Sequence, residues 1–525
     1  MKRREFIKSV GLTGAALAGG AGMVTLAAAQ GRSSRQVLGK NVVLFITDQE
    51  RAIQHFPVNW ERGNLPGLTR LKRNGLSFER AFTDACMCSP ARSTLMTGYF
   101  TAQHGVKYTL EEDMPARSYP QVELPLDFAN IASVMSAAGY NVVYKGKWHC
   151  SKPAGKHWVR GDVGRYGFAR WNPPDAGANQ DPDQAGGGYA DNDGRFMNDN
   201  GQWQAGREGA LPYLISQATA QQPFFLIISL VNPHDVLFYP NTYIDAGYDD
   251  SWLTGDIEIP VTVGESLSSK PTVQQQFLDI SQALGVLDTP EKKRNYLNFY
   301  GNLMKSSDNY LVQVLDTLDE LGLTNDALVI RTADHGEMGL THRGQRQKNF
   351  NFYEESIRVP LVYSNPQLYP GPRRSDALVS HVDFLPTIAT LFDVPRSARA
   401  NWQGVDYSSL VIDPLAAPVQ DYVVFTYDDY QSGQKNPPYP GLPPFPPAPN
   451  HIVSIRETRY KLAEYYDADG VVPSQWEMYD LAEDPLEITN IAFPDYPRTP
   501  EQQRQYERLR AKLAEVKATR LQPLS

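Results

Sequence analysis

Three short, almost purely apolar runs that end abruptly in polar residues restrict the folds open to this chain. They are Val42-Val43-Leu44-Phe45-Ile46 before Thr47-Asp48, Phe224-Phe225-Leu226-Ile227-Ile228 before Pro233-His234, and Leu328-Val329-Ile330 before Asp334-His335. Runs of this length without polar alternation suit strands covered on both faces, the setting of a parallel sheet between helices. Helical segments separate them. The clearest runs from Pro290 to Leu321, with Asp288-Thr289 as its cap, Tyr296, Tyr300, Leu303, Leu311, Leu315 and Leu318 as apolar positions, and Gly322 to stop it. Another is expected over Asp383 to Leu391. The reading is an α/β fold, a large mixed, mostly parallel sheet sandwiched by helices. Ligands of open α/β sheets lie beyond the carboxyl ends of the strands, so Asp48, His234, Asp334 and His335 are expected to converge.

A length of 525 residues accommodates a large catalytic domain and a smaller companion. Order weakens through Pro395, Asn401 and Asp413-Pro414, which puts a boundary near residue 415 and divides the chain into 37–415 and 416–525. Beyond it, Val423-Val424-Phe425, Ile452-Val453-Ser454-Ile455, Tyr460-Lys461-Leu462 and Met478-Tyr479-Asp480-Leu481 are strand candidates, followed by a helix with Thr499-Pro500-x-Gln502 as its cap. A smaller C-terminal α+β domain, an antiparallel sheet plus one helix, follows. The segment Pro437 to Pro449 reads as a stiff surface loop; lining a pocket mouth with Tyr427, Tyr430 and Tyr439 is its alternative.

The net charge of −9 excludes nucleic acid as a partner, because phosphates would be repelled by such a surface. Basic residues that hold an anion must therefore be focused locally. The first residues are of another kind: Arg3-Arg4 ahead of Phe6-Ile7, then no charge from Ser9 to Gly31, with Ala27-Ala28-Ala29 before Gln30. Residues 1–29 read as a signal peptide of twin-arginine type, too rich in Gly and Ala for a good membrane anchor; an uncleaved anchor is the alternative. Use of the twin-arginine export machinery, an exported chain, periplasmic or extracellular, and no stable membrane span after cleavage are expected.

The chemistry-bearing segment is Cys88-Ser89-Pro90-Ala91-Arg92-Ser93-Thr94-Leu95-Met96-Thr97-Gly98. Ser89-Pro90 signals a helix start, placing Cys88 just before a helix N-terminus whose dipole favours negative charge, with Arg92 one turn later. This Cys-x-Pro-x-Arg element resembles the sulfatase family of the alkaline phosphatase superfamily, in which that cysteine is oxidised to formylglycine by a separate generating enzyme. The resemblance extends in order from about residue 40 to 490. Asp48 matches a metal ligand, although Gln49 stands where many relatives have a second Asp. Gly146-Lys147-Trp148-His149, Asn232-Pro233-His234 and Asp334-His335-Gly336-Glu337 match further elements. Lys348 ahead of Tyr353-Glu354-Glu355-Ser356-x-Arg358, Ser380-His381-Val382-Asp383 and Tyr479-Asp480-Leu481-x-x-Asp484-Pro485 also fit. Each residue has a structural reading when taken singly, as a strand cap, an interior histidine or a surface lysine. Their joint order argues for a site. His342 is a further candidate.

The resemblance implies a sulfatase that hydrolyses small-molecule or saccharide sulfate esters. One divalent metal, Ca²⁺ with Mn²⁺ or Mg²⁺ as alternatives, is implied on Asp48, Gln49, Asp334, His335 and an oxygen of residue 88. Hydrated formylglycine offers one hydroxyl to attack sulfur and a second whose deprotonation expels sulfate. Arg92 would stabilise that nucleophile, Lys147, His234 and Lys348 bind the sulfate or aid the leaving alcohol, and His149 act as base. Consumption of Cys88 would leave Cys86 and Cys150 free or paired. The Asp48-Gln49 start also resembles phosphonate monoester and phosphodiester hydrolases of the same superfamily. A catalytically silent carbohydrate-binding protein is the alternative of another class, and it would have no use for an oxidisable residue.

Overall fold

The computed structural model describes residues 37–111, 121–179, 181–201, 207–431 and 445–524. The leader and most of the proline-rich segment lie outside the described residues.

The three apolar runs form neighbouring central strands. β1 (Asn41–Asp48) pairs in parallel with β5 (Phe224–Pro233) on one side and β6 (Ala327–Ala333) on the other. With β2 (Gly75–Phe82), β4 (Asn141–Gly146), β7 (Leu361–Ser364) and β8 (Arg373–Ser380) they make a seven-stranded sheet in the order β4-β5-β1-β6-β7-β2-β8. Only β7 runs against the rest. Along β1 the side chains alternate between two cores: Val42, Leu44 and Ile46 enter one, Val43 and Phe45 the other. Both faces are therefore dry, which explains the unbroken apolar runs. The helix Pro290–Glu320, capped by Thr289, whose side chain accepts from Lys292 N, packs Leu303, Leu311 and Leu318 on the second face. The first face is covered by helices that include Ile131–Ala137, Cys88–Thr97 and Phe384–Leu391.

The second sheet has the order β12-β11-β10-β9-β3. β9 (Tyr422–Tyr427), β10 (His451–Glu457), β11 (Tyr460–Tyr466) and β12 (Gln475–Asp480) are antiparallel, as the sequence predicts. The helix Pro500–Thr519 begins with the reciprocal Thr499–Gln502 cap. β3 (Ala85–Cys86) was not expected: this two-residue strand pairs in parallel with Thr426 and Tyr427 of β9 and leads straight into Cys88. The second sheet thus grips the segment that leads into Cys88.

Candidate active site

β1 and the five strands that run with it point their carboxyl ends to one edge of the large sheet, and the polar residues that follow β1, β4, β5 and β6 meet there. Asp48 ends β1 opposite Pro233, and Asp334 follows β6, its N–H donating to the Thr47 carbonyl at 3.1 Å. Lys147 follows β4, and its N–H donates to the Ser229 carbonyl of β5 at 2.9 Å. Cys88 is the first residue of the helix Cys88–Thr97 rather than the one before it, and Met87 is the cap. The whole helix is buried, so the end that carries Cys88 is fixed by packing on every side.

Arg92 is the keystone of this edge. Fully buried, its Nη2 donates to Asp48 Oδ2 at 3.0 Å, its Nε to Asp334 Oδ2 at 2.9 Å, and its Nη1 to the Lys147 carbonyl and Ser229 Oγ at 3.1 and 2.7 Å. Lys147 Nζ adds a second cation 2.6 Å from Asp48 Oδ2 and donates to the Gly177 carbonyl at 2.6 Å. Burial alone would push Asp48 up, but Lys147, His234 and Arg92 outweigh it and hold that carboxylate well below its ordinary range. Asp334 goes the other way, to about 7, through burial and the neighbouring charge of Asp48. Burial and Asp48 likewise push the Cys88 thiol up to about 12, so the cysteine itself is a neutral, weak nucleophile.

Asp48, Cys88, Asp334 and His335 each offer one donor atom, all within 4.8 Å of one another. His335 Nδ1 lies 3.1 Å from the Gly336 carbonyl, which can only accept, so the ring proton sits there and the bare Nε2 faces Cys88 Sγ at 3.1 Å. A second hydrogen bond that fixes the tautomer is the ordinary arrangement of a ligating imidazole. Cys88 Sγ is also 3.5 Å from Asp48 Oδ1. Gln49 turns its amide oxygen to Lys348 Nζ at 2.5 Å. Two carboxylates, one imidazole and an amide oxygen fit a hard or borderline divalent cation.

Cys88 and Met87 form part of the wall of a cavity of about 630 Å³, mouth included, with His149, His234, Gln347 and Lys348 also lining it. His149 donates from Nε2 to the Leu110 carbonyl at 2.7 Å, leaving a buried Nδ1 lone pair with no protein partner. Burial and Lys147 hold both His149 and His234 well below the ordinary histidine range. The sequence-predicted residues thus converge, with the exception of His342. That ring stacks on Tyr353 at 3.7 Å and bonds Glu265 at 3.0 Å, and is absent from the cavity lining. The three cysteines are buried and unpaired.

Sequence reasoning missed the residues that hold the others in place. Asp175 accepts from the backbone N–H groups of Trp148 and His149, both at 2.8 Å, and Ser229 from Arg92. Glu337 was quoted within a motif but given no task; it accepts from Gln49 Nε2 at 2.6 Å.

Residues 40–394 match the family model described as Sulfatase, and residues 343–519 that described as N-sulphoglucosamine sulphohydrolase, C-terminal. An endo-4-O-sulfatase of Bacteroides thetaiotaomicron is 26% identical over 522 residues, covering 92% of this chain and 94% of the relative. A solved 2-O GAG sulfatase superimposes with TM-score 0.68 at 20% identity, covering 91% of this chain and 92% of the other. A phosphonate monoester hydrolase of Agrobacterium radiobacter does so with TM-score 0.61 at 20% identity, covering 90% and 96%. At these identities the two solved structures share the fold.

Proposed function

This chain belongs to the sulfatase family, and we propose that its active site is built on Cys88, matured to formylglycine, beside one divalent cation held by Asp48, Gln49, Asp334 and His335. The enzyme is a sulfuric ester hydrolase. The observation that carries the site assignment is the single cluster in which Cys88 Sγ lies within 3.5 Å of both Asp48 Oδ1 and His335 Nε2 on the wall of the cavity. The oxygen-rich donor set favours Ca²⁺.

The family's formylglycine supplies, when hydrated, one hydroxyl that attacks sulfur and another whose deprotonation releases sulfate, and the cation supplies polarisation of a sulfate oxygen. The protein's own residues do the rest. Arg92 holds both carboxylates in register and keeps their charge from repelling an anionic ester. Lys147 and Lys348 bring further positive charge to a site otherwise hostile to sulfate. His149, with its proton fixed on Nε2 by Leu110, presents a bare Nδ1 as the base. His234, on the cavity wall, binds a sulfate oxygen, and Lys348 has N–H groups left to protonate the leaving alcohol.

Sulfated saccharides are the substrate class this reading favours, since one relative is named a Δ4,5-hexuronate-2-O-sulfatase and one solved neighbour holds D-glucosamine-2-N,6-O-disulfate as its substrate. The paired Arg3-Arg4 leader supports export by the twin-arginine route, with oxidation of Cys88 by a generating enzyme. No helix among the described residues is long and apolar enough to cross a membrane. Residues 37–415 form the catalytic domain in this reading and 416–525 its companion.

Gln49 favours a second reading, a phosphonate monoester hydrolase, because a neutral ligand alters which anion suits the cation. Comparing kcat/KM for an aryl sulfate and an aryl phosphonate monoester, on one preparation with Cys88 oxidation confirmed, decides between them. Preference for the sulfate is expected; preference for the phosphonate would replace the first reading with the second.

A further inference from the structure

Gln49 carries no charge where many relatives have a carboxylate, yet a carboxylate stands directly behind it. Glu337 and Gln49 are both fully buried. Glu337 Oε2 accepts from Gln49 Nε2 at 2.6 Å, while its Oε1 accepts from Tyr296 OH at 2.6 Å and from the N–H groups of Gln347 and Gly339 at 3.0 and 3.2 Å. Four donors converging on one buried carboxylate hold it in a single orientation. On the far side of the amide, Lys348 Nζ donates to Gln49 Oε1 at 2.5 Å. A carboxylate only accepts and an ammonium only donates, so the amide can stand one way round: NH₂ toward Glu337, oxygen toward the cationic side of the site. Gln49 N is also tied to Asp334 Oδ1 at 3.0 Å, and its φ of 66° is a left-handed conformation that a non-glycine residue adopts only when its surroundings impose it.

We propose that Glu337 is a positioning residue that turns the Gln49 amide oxygen toward the divalent cation and carries, one hydrogen bond further back, the negative charge that an aspartate at position 49 would have supplied. The inference rests on the ligand set proposed above. It gives Glu337 a task distinct from holding the loop together: the amide must present oxygen, and polarisation of its N–H by a carboxylate makes that oxygen a stronger donor.

The test is calorimetric titration of the metal-free full-length protein with Ca²⁺, the oxidation state of Cys88 being matched across variants. Glu337→Gln has one acceptor where four donors need satisfying, and weakens Ca²⁺ binding about tenfold to a hundredfold. Adding Gln49→Asp to Glu337→Gln restores binding to within a few-fold of wild type, because a carboxylate ligand needs no carboxylate behind it, whereas Gln49→Asp alone sets two carboxylates together and gains nothing. Tyr296→Phe, which removes one donor to Glu337, weakens binding a few-fold with the fold intact. It decides the matter if Glu337→Gln does not fold. Wild-type affinity in Glu337→Gln, no rescue in the double variant, or wild-type affinity in Tyr296→Phe would overturn the inference. Asp334→Asn separates this from the underlying reading: if it too binds Ca²⁺ like wild type, the ligand set itself is wrong.

Discussion

His149 sits at φ 53° with both its backbone and its ring tied down: its N–H donates to Asp175 Oδ2 at 2.8 Å, and its Nε2 to the Leu110 carbonyl at 2.7 Å. The ring can neither flip nor exchange tautomer without breaking a buried hydrogen bond, so Nδ1 is the only nitrogen free to take a proton. Burial and Lys147 hold its pKa well below the ordinary histidine value, so near neutral pH it is an unprotonated base. His149→Asn is expected to lower kcat about 10²- to 10⁴-fold while leaving Ca²⁺ affinity at the wild-type value, as read by steady-state kinetics and calorimetry on the same preparation. An equal loss of metal affinity would mean that the ring supports the cluster instead. His149 was legible in the sequence because Gly146-Lys147-Trp148-His149 resembles an element of the sulfatase family; Asp175, which holds it, was not. Asp175 acts through backbone N–H groups, and such bonds leave no spacing or residue-type signature from which a partner 26 positions away can be found. Glu337 was hidden for a similar reason, since its partner Gln49 lies 288 positions upstream.

The central strands could be read because both their faces are buried, a condition that demands unbroken apolar runs and leaves the first polar residue to mark each carboxyl end. β3 could not: two residues held by pairing with β9, whose Thr426 and Tyr427 lie over 300 positions further on, carry no local pattern. The end of β4 is similar, for its crucial residue has no side chain. Gly146 lies at φ 114°, opposite Ser229, and a Cβ there would fall 1.9 Å from the Ser229 carbonyl oxygen. That oxygen accepts from Lys147 N, and Ser229 Oγ accepts from Arg92, so the strand end, the lysine and the keystone arginine all depend on this close approach. Gly146→Ala combines backbone strain with an overlap against main chain that cannot move aside. It is expected to destabilise the protein by about 3 kcal/mol or more, read as a fall in thermal midpoint, together with a loss of kcat/KM. A midpoint within a degree or so of wild type would show that β4 can shift away from β5, and would remove the argument for a rigid lysine.

Adjacent glutamates join the two sheets by facing opposite ways. Glu354 meets the second sheet, accepting from Arg456 Nε and Nη2 at 3.2 and 3.1 Å, with Lys461 Nζ 3.4 Å away. Glu355 turns back into the larger body, where His55 Nε2 is 3.0 Å and His342 Nε2 3.8 Å from its carboxylate. His342 is enclosed: Glu265 bonds its Nδ1 at 3.0 Å, Tyr353 covers its face, and Lys270 stands 3.2 Å from Glu265. Burial would lower the pKa of this imidazole, but the hydrogen bond to Glu265 and the nearby carboxylate of Glu355 outweigh it and raise it to about 9. The folded value therefore exceeds the unfolded one of about 6.5. Its contribution to stability is fully present below about pH 6.5 and is lost as pH rises through about 9, because the unfolded chain gives up this proton first. At about 1.36 kcal/mol per pH unit the contribution is on the order of 3 kcal/mol. Removing the imidazolium also leaves two buried carboxylates facing each other, so the loss belongs to the junction and not to the ring alone. His342→Gln should accordingly melt well below wild type at about pH 6 and close to it at about pH 9.5, with the gap narrowing steadily between. A gap that stays constant with pH would mean that His342 is held neutral and supports the junction only by stacking on Tyr353.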